Sequence, residues 1–271
     1  MSIETIERDR ADDRAAANRT YGRHQRLAKR LLNPVFRLLF RIEVNGVEHV
    51  PTTGPAVLCP NHLAAIDSFL LPSVLDRPVL YVGKAEYLDD WRTRWLFPAL
   101  GMIPIDRRGG EHSKGALDVA RSVLEGGGLF AIYPEGTRSR SGKLYRGHTG
   151  AARLAIETGA PIVPVGLLGT AEVQPVDAVV PRPFKPMTVT FGPPIPVERY
   201  RSRIGDHTVY RELIDEVMFE IQRLTGQEYV PRYAQDDQRP TAPPTEIDST
   251  PTLPRRSSTE VLVSRPLVST G

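Results

Sequence analysis

Between residues 55 and 225 the chain alternates short apolar runs with stretches of helical periodicity, and this restricts the fold more than any other feature. The runs near 55–59, 79–82, 102–105, 129–133, 161–165 and 187–191 predict strands. Between them 67–75, 87–99, 112–125 and 148–158 predict helices, with a later helix at 208–225. Such alternation predicts a single α/β domain, a mixed and mostly parallel sheet flanked by helices. In open sheets of this class ligands bind beyond the strand ends. The loops that follow strands then carry the chemistry, and His62, Arg107 and Glu135 all stand in such loops.

The ends of the chain read differently. Residues 1–20 are charged, lack apolar periodicity and are expected to form a mobile arm. From 21 to 42, Leu27, Leu31, Val35, Leu38, Leu39 and Ile42 recur at helical spacing, opposite Arg23, Arg26, Arg30, Arg37 and Arg41. This stretch holds six Lys/Arg and no acid, so it reads as a basic amphipathic helix preceding the domain. Two readings fit it and are compatible: a segment lying on an anionic membrane surface, or a helix docked on the core with its charges solvated. The domain itself is expected over 43–230. Beyond it, 236–271 holds six prolines and eleven Ser/Thr with few large apolar residues, so 231–271 reads as a disordered tail.

Several function classes drop out. Lys+Arg of 35 against Asp+Glu of 32 leaves +3, and the positive charge sits beside leucines and phenylalanines, so nucleic acid is not an expected partner. One cysteine, Cys59, excludes an internal disulfide and a cysteine zinc site, and no ligand set for any metal accompanies His62 and Asp67. The N-terminus lacks the order of a signal peptide, and no run of 18 apolar residues suggests a span. Gly136 and Gly142-Lys143 miss the spacing of a P-loop. No Gly-x-Ser-x-Gly pentad supplies a serine nucleophile either.

The chemistry concentrates in four blocks. The first, Pro60 to Ser68, offers His62 as a base and Asp67 as its orienter, because a carboxylate fixes the imidazole tautomer and stabilises the imidazolium. Five helical steps would put the two side chains about 140° apart, so His62 is expected in a loop and Asp67 in the first turn of the following helix. The second block, Gly101 to Arg108, ends a strand with Arg107, whose guanidinium suits a phosphate. The third sets Glu135, Gly136, Thr137 and Arg138 directly after a strand. The fourth, Ala160 to Gly166, is an apolar strand with prolines.

Asn61-His62-x4-Asp67, Gly101-x3-Ile105-Asp106-Arg107, Pro134-Glu135-Gly136-Thr137-Arg138-Ser139 and Val163-Pro164-Val165, in that order, resemble the glycerolipid acyltransferase family that includes the 1-acylglycerol-3-phosphate acyltransferases. The resemblance covers roughly residues 40–200. It implies that His62 takes the proton of the acceptor's hydroxyl, which attacks the thioester of acyl-CoA or acyl-carrier protein, with Asp67 orienting the histidine. No covalent acyl-enzyme and no cofactor is implied. It places Arg107, Glu135, Gly136, Thr137 and Arg138 near the acceptor's phosphate, and Lys84, in Lys84-Ala85-Glu86-Tyr87-Leu88, as a second basic element.

The expected activity is therefore acylation of 1-acylglycerol 3-phosphate to phosphatidate. Another lysophospholipid or a glycolipid is the alternative acceptor, and a non-catalytic membrane lipid-binding protein the alternative of another class. The expected partners are the lysophospholipid acceptor, the acyl thioester donor and an anionic membrane surface met through 21–42. Many members of the family carry N-terminal spans, whereas this chain suggests peripheral attachment, expected at the cytoplasmic face of the plasma membrane.

Overall fold

The computed structural model describes residues 38–84, 100–105 and 112–237, together with residues 25, 30, 33, 34 and 36. The helix expected at 87–99, Arg107 and the tail beyond 237 lie outside the described residues.

Seven strands form one sheet: β1 (Arg41–Asn45), β2 (Ala56–Pro60), β3 (Val79–Lys84), β4 (Met102–Ile105), β5 (Leu129–Ala131), β7 (Ile162–Leu168) and β8 (Pro186–Phe191). Their order is β1-β8-β7-β2-β5-β3-β4. All pairings are parallel except β7 with β8. β2 lies at the centre and every one of its residues is buried, as a parallel strand covered on both faces requires. A separate parallel pair joins β6 (Leu144–Tyr145) to β9 (Tyr229–Val230).

The helices cover both faces. On one, α2 (His112–Glu125), α3 (Gly150–Thr158) and α6 (His207–Thr225) bury Ala120, Leu124, Leu154, Ile156, Leu213, Val217 and Ile221 against Val57, Phe130 and Ile162. α6 presents Val209, Leu213, Ile214, Val217, Met218 and Ile221 as one stripe. Asp206 caps its start by accepting from the Thr208 N–H at 2.8 Å, and Gly226 in the left-handed region ends it. On the other face α1 (Asp67–Val74) buries Leu70 and Leu71 against Leu58, Leu129 and Val163. Short helices α4 (Thr170–Val173), α5 (Glu198–Arg201) and α7 (Ala234–Asp237) and a 3-10 turn at Val47–His49 complete the described elements.

Two boundaries differ from those read in the sequence, and one open reading is decided for the described residues. The described residues of the 21–42 segment are helical only to Leu39, and Arg41 already belongs to β1, where Ile42 and Val44 pair with Met187 and Val189. The segment docks on the domain: Phe36 and Leu39 pack on the core, Asn33 donates to Ser73 O at 2.9 Å, and buried Gln25 bridges Val79 and Leu100. Finally, the compact unit runs past 230 to Asp237, because Arg146 N–H donates to Arg232 O and Tyr233 stacks on His148.

Candidate active site

The turn after β2 brings His62 and Asp67 together. Ala64, Ala65 and Ile66 carbonyls accept from Asp67, Ser68 and Phe69 in tight turns that reverse the chain into α1. Asp67 points back along this turn instead of forward into the helix. Its Oδ2 meets His62 Nδ1 at 2.9 Å and accepts the N–H groups of Leu63 at 2.7 Å and Ala64 at 2.8 Å. Two amide donors and the ring thus fix one carboxylate oxygen. The other, Oδ1, is buried with no donor among the described residues. A carboxylate so poorly solvated gains most from a positive charge on the ring beside it. With Nδ1 committed to Asp67, Nε2 is the nitrogen left to act as base, on a side chain 16% exposed.

Three neighbours that sequence reasoning did not assign hold the histidine. Tyr133 stacks on the imidazole with ring centroids 3.9 Å apart and planes 20° off parallel. Burial, followed by the charge of Asp67, raises its phenol pKa well above the usual value, so the ring stays neutral. Asn61 is fully buried: its amide donates to Leu167 O at 3.0 Å and Gln227 Oε1 at 2.9 Å and accepts the Leu167 N–H at 2.7 Å. That pins the exit of β2 to β7. Gln174 accepts the Ile66 N–H at 2.8 Å and so steadies the turn itself. Asn61 stood in the Asn61-His62-x4-Asp67 block without a role and Tyr133 ended the strand two residues before Glu135, while Gln174 lay too far along the chain to give a signal.

Glu135 joins the site in a different role from the one expected. It is fully buried, and both carboxylate oxygens are taken: Oε1 by the His62 N–H and Oε2 by the Tyr145 N–H, each at 3.0 Å. A carboxylate would repel a phosphate in any case, so Glu135 braces the histidine loop from beneath. Burial pushes its pKa up to about 7, the two amide donors opposing that rise. Ser139 N–H also donates to His62 O at 2.8 Å, tying the 135–139 loop to the histidine backbone on its other side.

The remaining expected residues are placed as follows. Gly136 turns the loop at φ 72, in the left-handed region that favours glycine, and a Cβ there would sit tightly at 3.0 Å from the His148 ring. Thr137 and Arg138 are partly buried in the same loop. Lys84 is the last residue of β3, at the sheet end shared with His62. Arg107 follows β4 but lies outside the described residues. Cys59 is buried and its thiol pKa is pushed up by that burial, which disqualifies it as a nucleophile. Among the described residues no group of His, Cys, Asp and Glu forms a metal site, and no helix is long and apolar enough to cross a membrane.

Residues 41–168 match the Acyltransferase family model, which bears out the resemblance drawn from the four blocks. Similar proteins include the chloroplastic 1-acyl-sn-glycerol-3-phosphate acyltransferase LPAT1 of Arabidopsis thaliana, 29% identical over 137 residues, 50% of this chain and 38% of that protein. The 1-acyl-sn-glycerol-3-phosphate acyltransferase alpha of Homo sapiens is 33% identical over 131 residues, 46% of this chain and 44% of that one. The corresponding Borreliella burgdorferi enzyme is 29% identical over 130 residues, 48% and 52% of the two chains. The matched region thus spans roughly half or less of these relatives. The fold is similar to the crystal structure of the 1-acyl-sn-glycerophosphate acyltransferase PlsC of Thermotoga maritima, at a TM-score of 0.54 and 20% identity, over 74% of this chain and 78% of that one.

Proposed function

We propose that this chain, which carries an acyltransferase domain at residues 41–168, moves a fatty acyl group from a thioester to the free hydroxyl of 1-acylglycerol 3-phosphate, giving phosphatidate. The observation that carries the reading is the 2.9 Å His62–Asp67 contact, with the carboxylate locked by two backbone amides. The names of the similar proteins supply the acceptor.

In this scheme His62 Nε2 takes the hydroxyl proton as the oxygen attacks the thioester carbonyl. The tetrahedral intermediate collapses, the C–S bond breaks, and the imidazolium returns the proton to the departing thiolate. Asp67 holds Nδ1–H toward itself and stabilises the imidazolium between those transfers. Direct attack suits a site whose one cysteine is inert. Arg107 and Lys84 receive the acceptor phosphate, with Thr137 and Arg138 supporting, since guanidinium groups and loop donors match phosphate oxygens. The donor is acyl-CoA or acyl-carrier protein, no cofactor takes part, and the protein works as a peripheral protein at the cytoplasmic face of the plasma membrane.

The test is an acceptor panel with a labelled acyl thioester: 1-acylglycerol 3-phosphate, its glycerophosphocholine counterpart and a glycolipid. Labelled phosphatidate as the main product supports the reading. Preference for either other acceptor would replace the substrate and keep the chemistry.

A further inference from the structure

The strand directions fix which loops share an end of the sheet. β7 runs parallel to β2, β8 antiparallel to β7, and β1 parallel to β8. The starts of β1 and β8 therefore lie at the same end as the exits of β2, β5 and β7, where His62 and Glu135 sit. Exposed apolar side chains gather there. Leu38, before β1, is 76% exposed, and Val179, Val180 and Phe184, before β8, are 90%, 74% and 62% exposed. The Phe184 N–H donates to Leu39 O at 2.6 Å, which joins the segments leading into these two strands.

Phe184 is also the one non-glycine residue with positive φ, 64°, among the described residues. Glycine or asparagine would hold that backbone with less strain, so the phenyl ring serves something other than the turn. Basic side chains flank it. Exposed Arg182 and Lys185 stand on either side of Phe184, with exposed Arg41 at the start of β1 and exposed Arg30 on the segment before it, while the Arg182 N–H donates to Val173 O at 2.7 Å beside exposed Glu172, and exposed Asp177 precedes the loop.

We propose that the loop 178–185, with Leu38 beside it, inserts into the interfacial region of an anionic bilayer, with Arg182, Lys185 and Arg41 at headgroup level. Apolar tips ringed by cations are what such an interface accepts. Phe36 and Leu39 of the preceding segment are turned onto the core, whereas Leu38 and the loop side chains are exposed. The loop is coupled to the active site. Gln174 Nε2 donates to Ala178 O and Val179 O at 3.3 Å while its Oε1 holds the Ile66 N–H. The end of the sheet that carries His62 thus faces the bilayer. Only that last consequence, a site opening toward a lipid acceptor, rests on the function proposed above.

Vesicle flotation and a site-attached dye test it. The triple variant Val179→Asp, Val180→Asp, Phe184→Asp alters exposed positions, and Phe184→Asn supplies a change that the backbone accommodates. Against phosphatidylglycerol–phosphatidylcholine vesicles, the triple variant should lose more than tenfold in bound fraction and Phe184→Asn several-fold. Both should turn over a short-chain, monomeric acceptor within twofold of wild type. An environment-sensitive dye on Val179→Cys, unconfused by buried Cys59, should shift to the blue with those vesicles and much less with phosphatidylcholine alone. Wild-type flotation by the triple variant, or an unmoved dye, would overturn the proposal. So would a dye shift that follows protein concentration without vesicles, which would assign the rim to a second copy. If no protein turns over any acceptor, the acyl-transfer reading fails while flotation still decides the loop.

Discussion

Glu135 grips the backbone of His62: its Oε1 accepts the His62 N–H at 3.0 Å from a fully buried position. The same carboxylate holds Tyr145 in β6, which pairs with β9, so the C-terminal part of the domain reaches the histidine through one side chain. His62 is thus fixed from two directions, by Asp67 through the ring and by Glu135 through the main chain.

A pH dependence follows from the raised Glu135 pKa. Between the ordinary value of 4.5 and about 7 the folded protein keeps a proton that the unfolded chain has lost, so this group's contribution to stability falls as pH rises. Across that window the loss is roughly 3 kcal/mol. Glu135→Gln carries no such proton. The unfolding free energy of wild type minus that of Glu135→Gln should therefore shrink from pH 4.5 to 7 in urea titrations, and a constant difference contradicts the assignment.

Asp67→Asn keeps a hydrogen-bonding oxygen for Leu63 and Ala64 but removes the charge that stabilises the imidazolium. kcat should fall on the order of 10³-fold with the circular dichroism spectrum unchanged. A loss under tenfold would show that Asp67 only shapes the turn.

Much of this was legible in the sequence, for stated reasons. β2, β4, β7, α1 and α6 fall within a few residues of their expected places: the strands are short apolar runs, α6 carries a full helical stripe, and α1 is announced by Asp67-Ser68 before an apolar run. The spacing of His62 and Asp67 correctly excluded a straight helix through both. The end of the 21–42 helix was overshot because Ile42 fits the helical stripe and the strand equally well. Only the partner strand β8 decides between them. Glu135 was assigned to a phosphate because motif order reveals neighbours but not depth, and full burial reverses the role of a carboxylate. Gln174 and Gln227 act from more than a hundred residues away, where spacing carries no information.

Truncation separates domain from tail. Removing 238–271 should leave kcat within about twofold, since the compact unit ends at Asp237. Removing 227–271 takes Gln227 from Asn61 and β9 from β6, and should cost several kcal/mol of stability and nearly all activity. Equal behaviour of the two truncations in thermal melts would show that the C-terminal strand does not support the site.

Arg107→Ala should raise the KM for a phosphate-bearing acceptor at least tenfold with a smaller change in kcat, since it removes binding common to ground and transition states. An unchanged KM would place the phosphate elsewhere.

The most direct measurement is thiol release from palmitoyl-CoA by purified protein, with and without 1-acylglycerol 3-phosphate, comparing wild type with His62→Ala. Release that requires both the acceptor and His62 is the predicted result. Release that persists in His62→Ala, or that proceeds equally without acceptor, would contradict the assignment of His62 as the base of an acyl transfer.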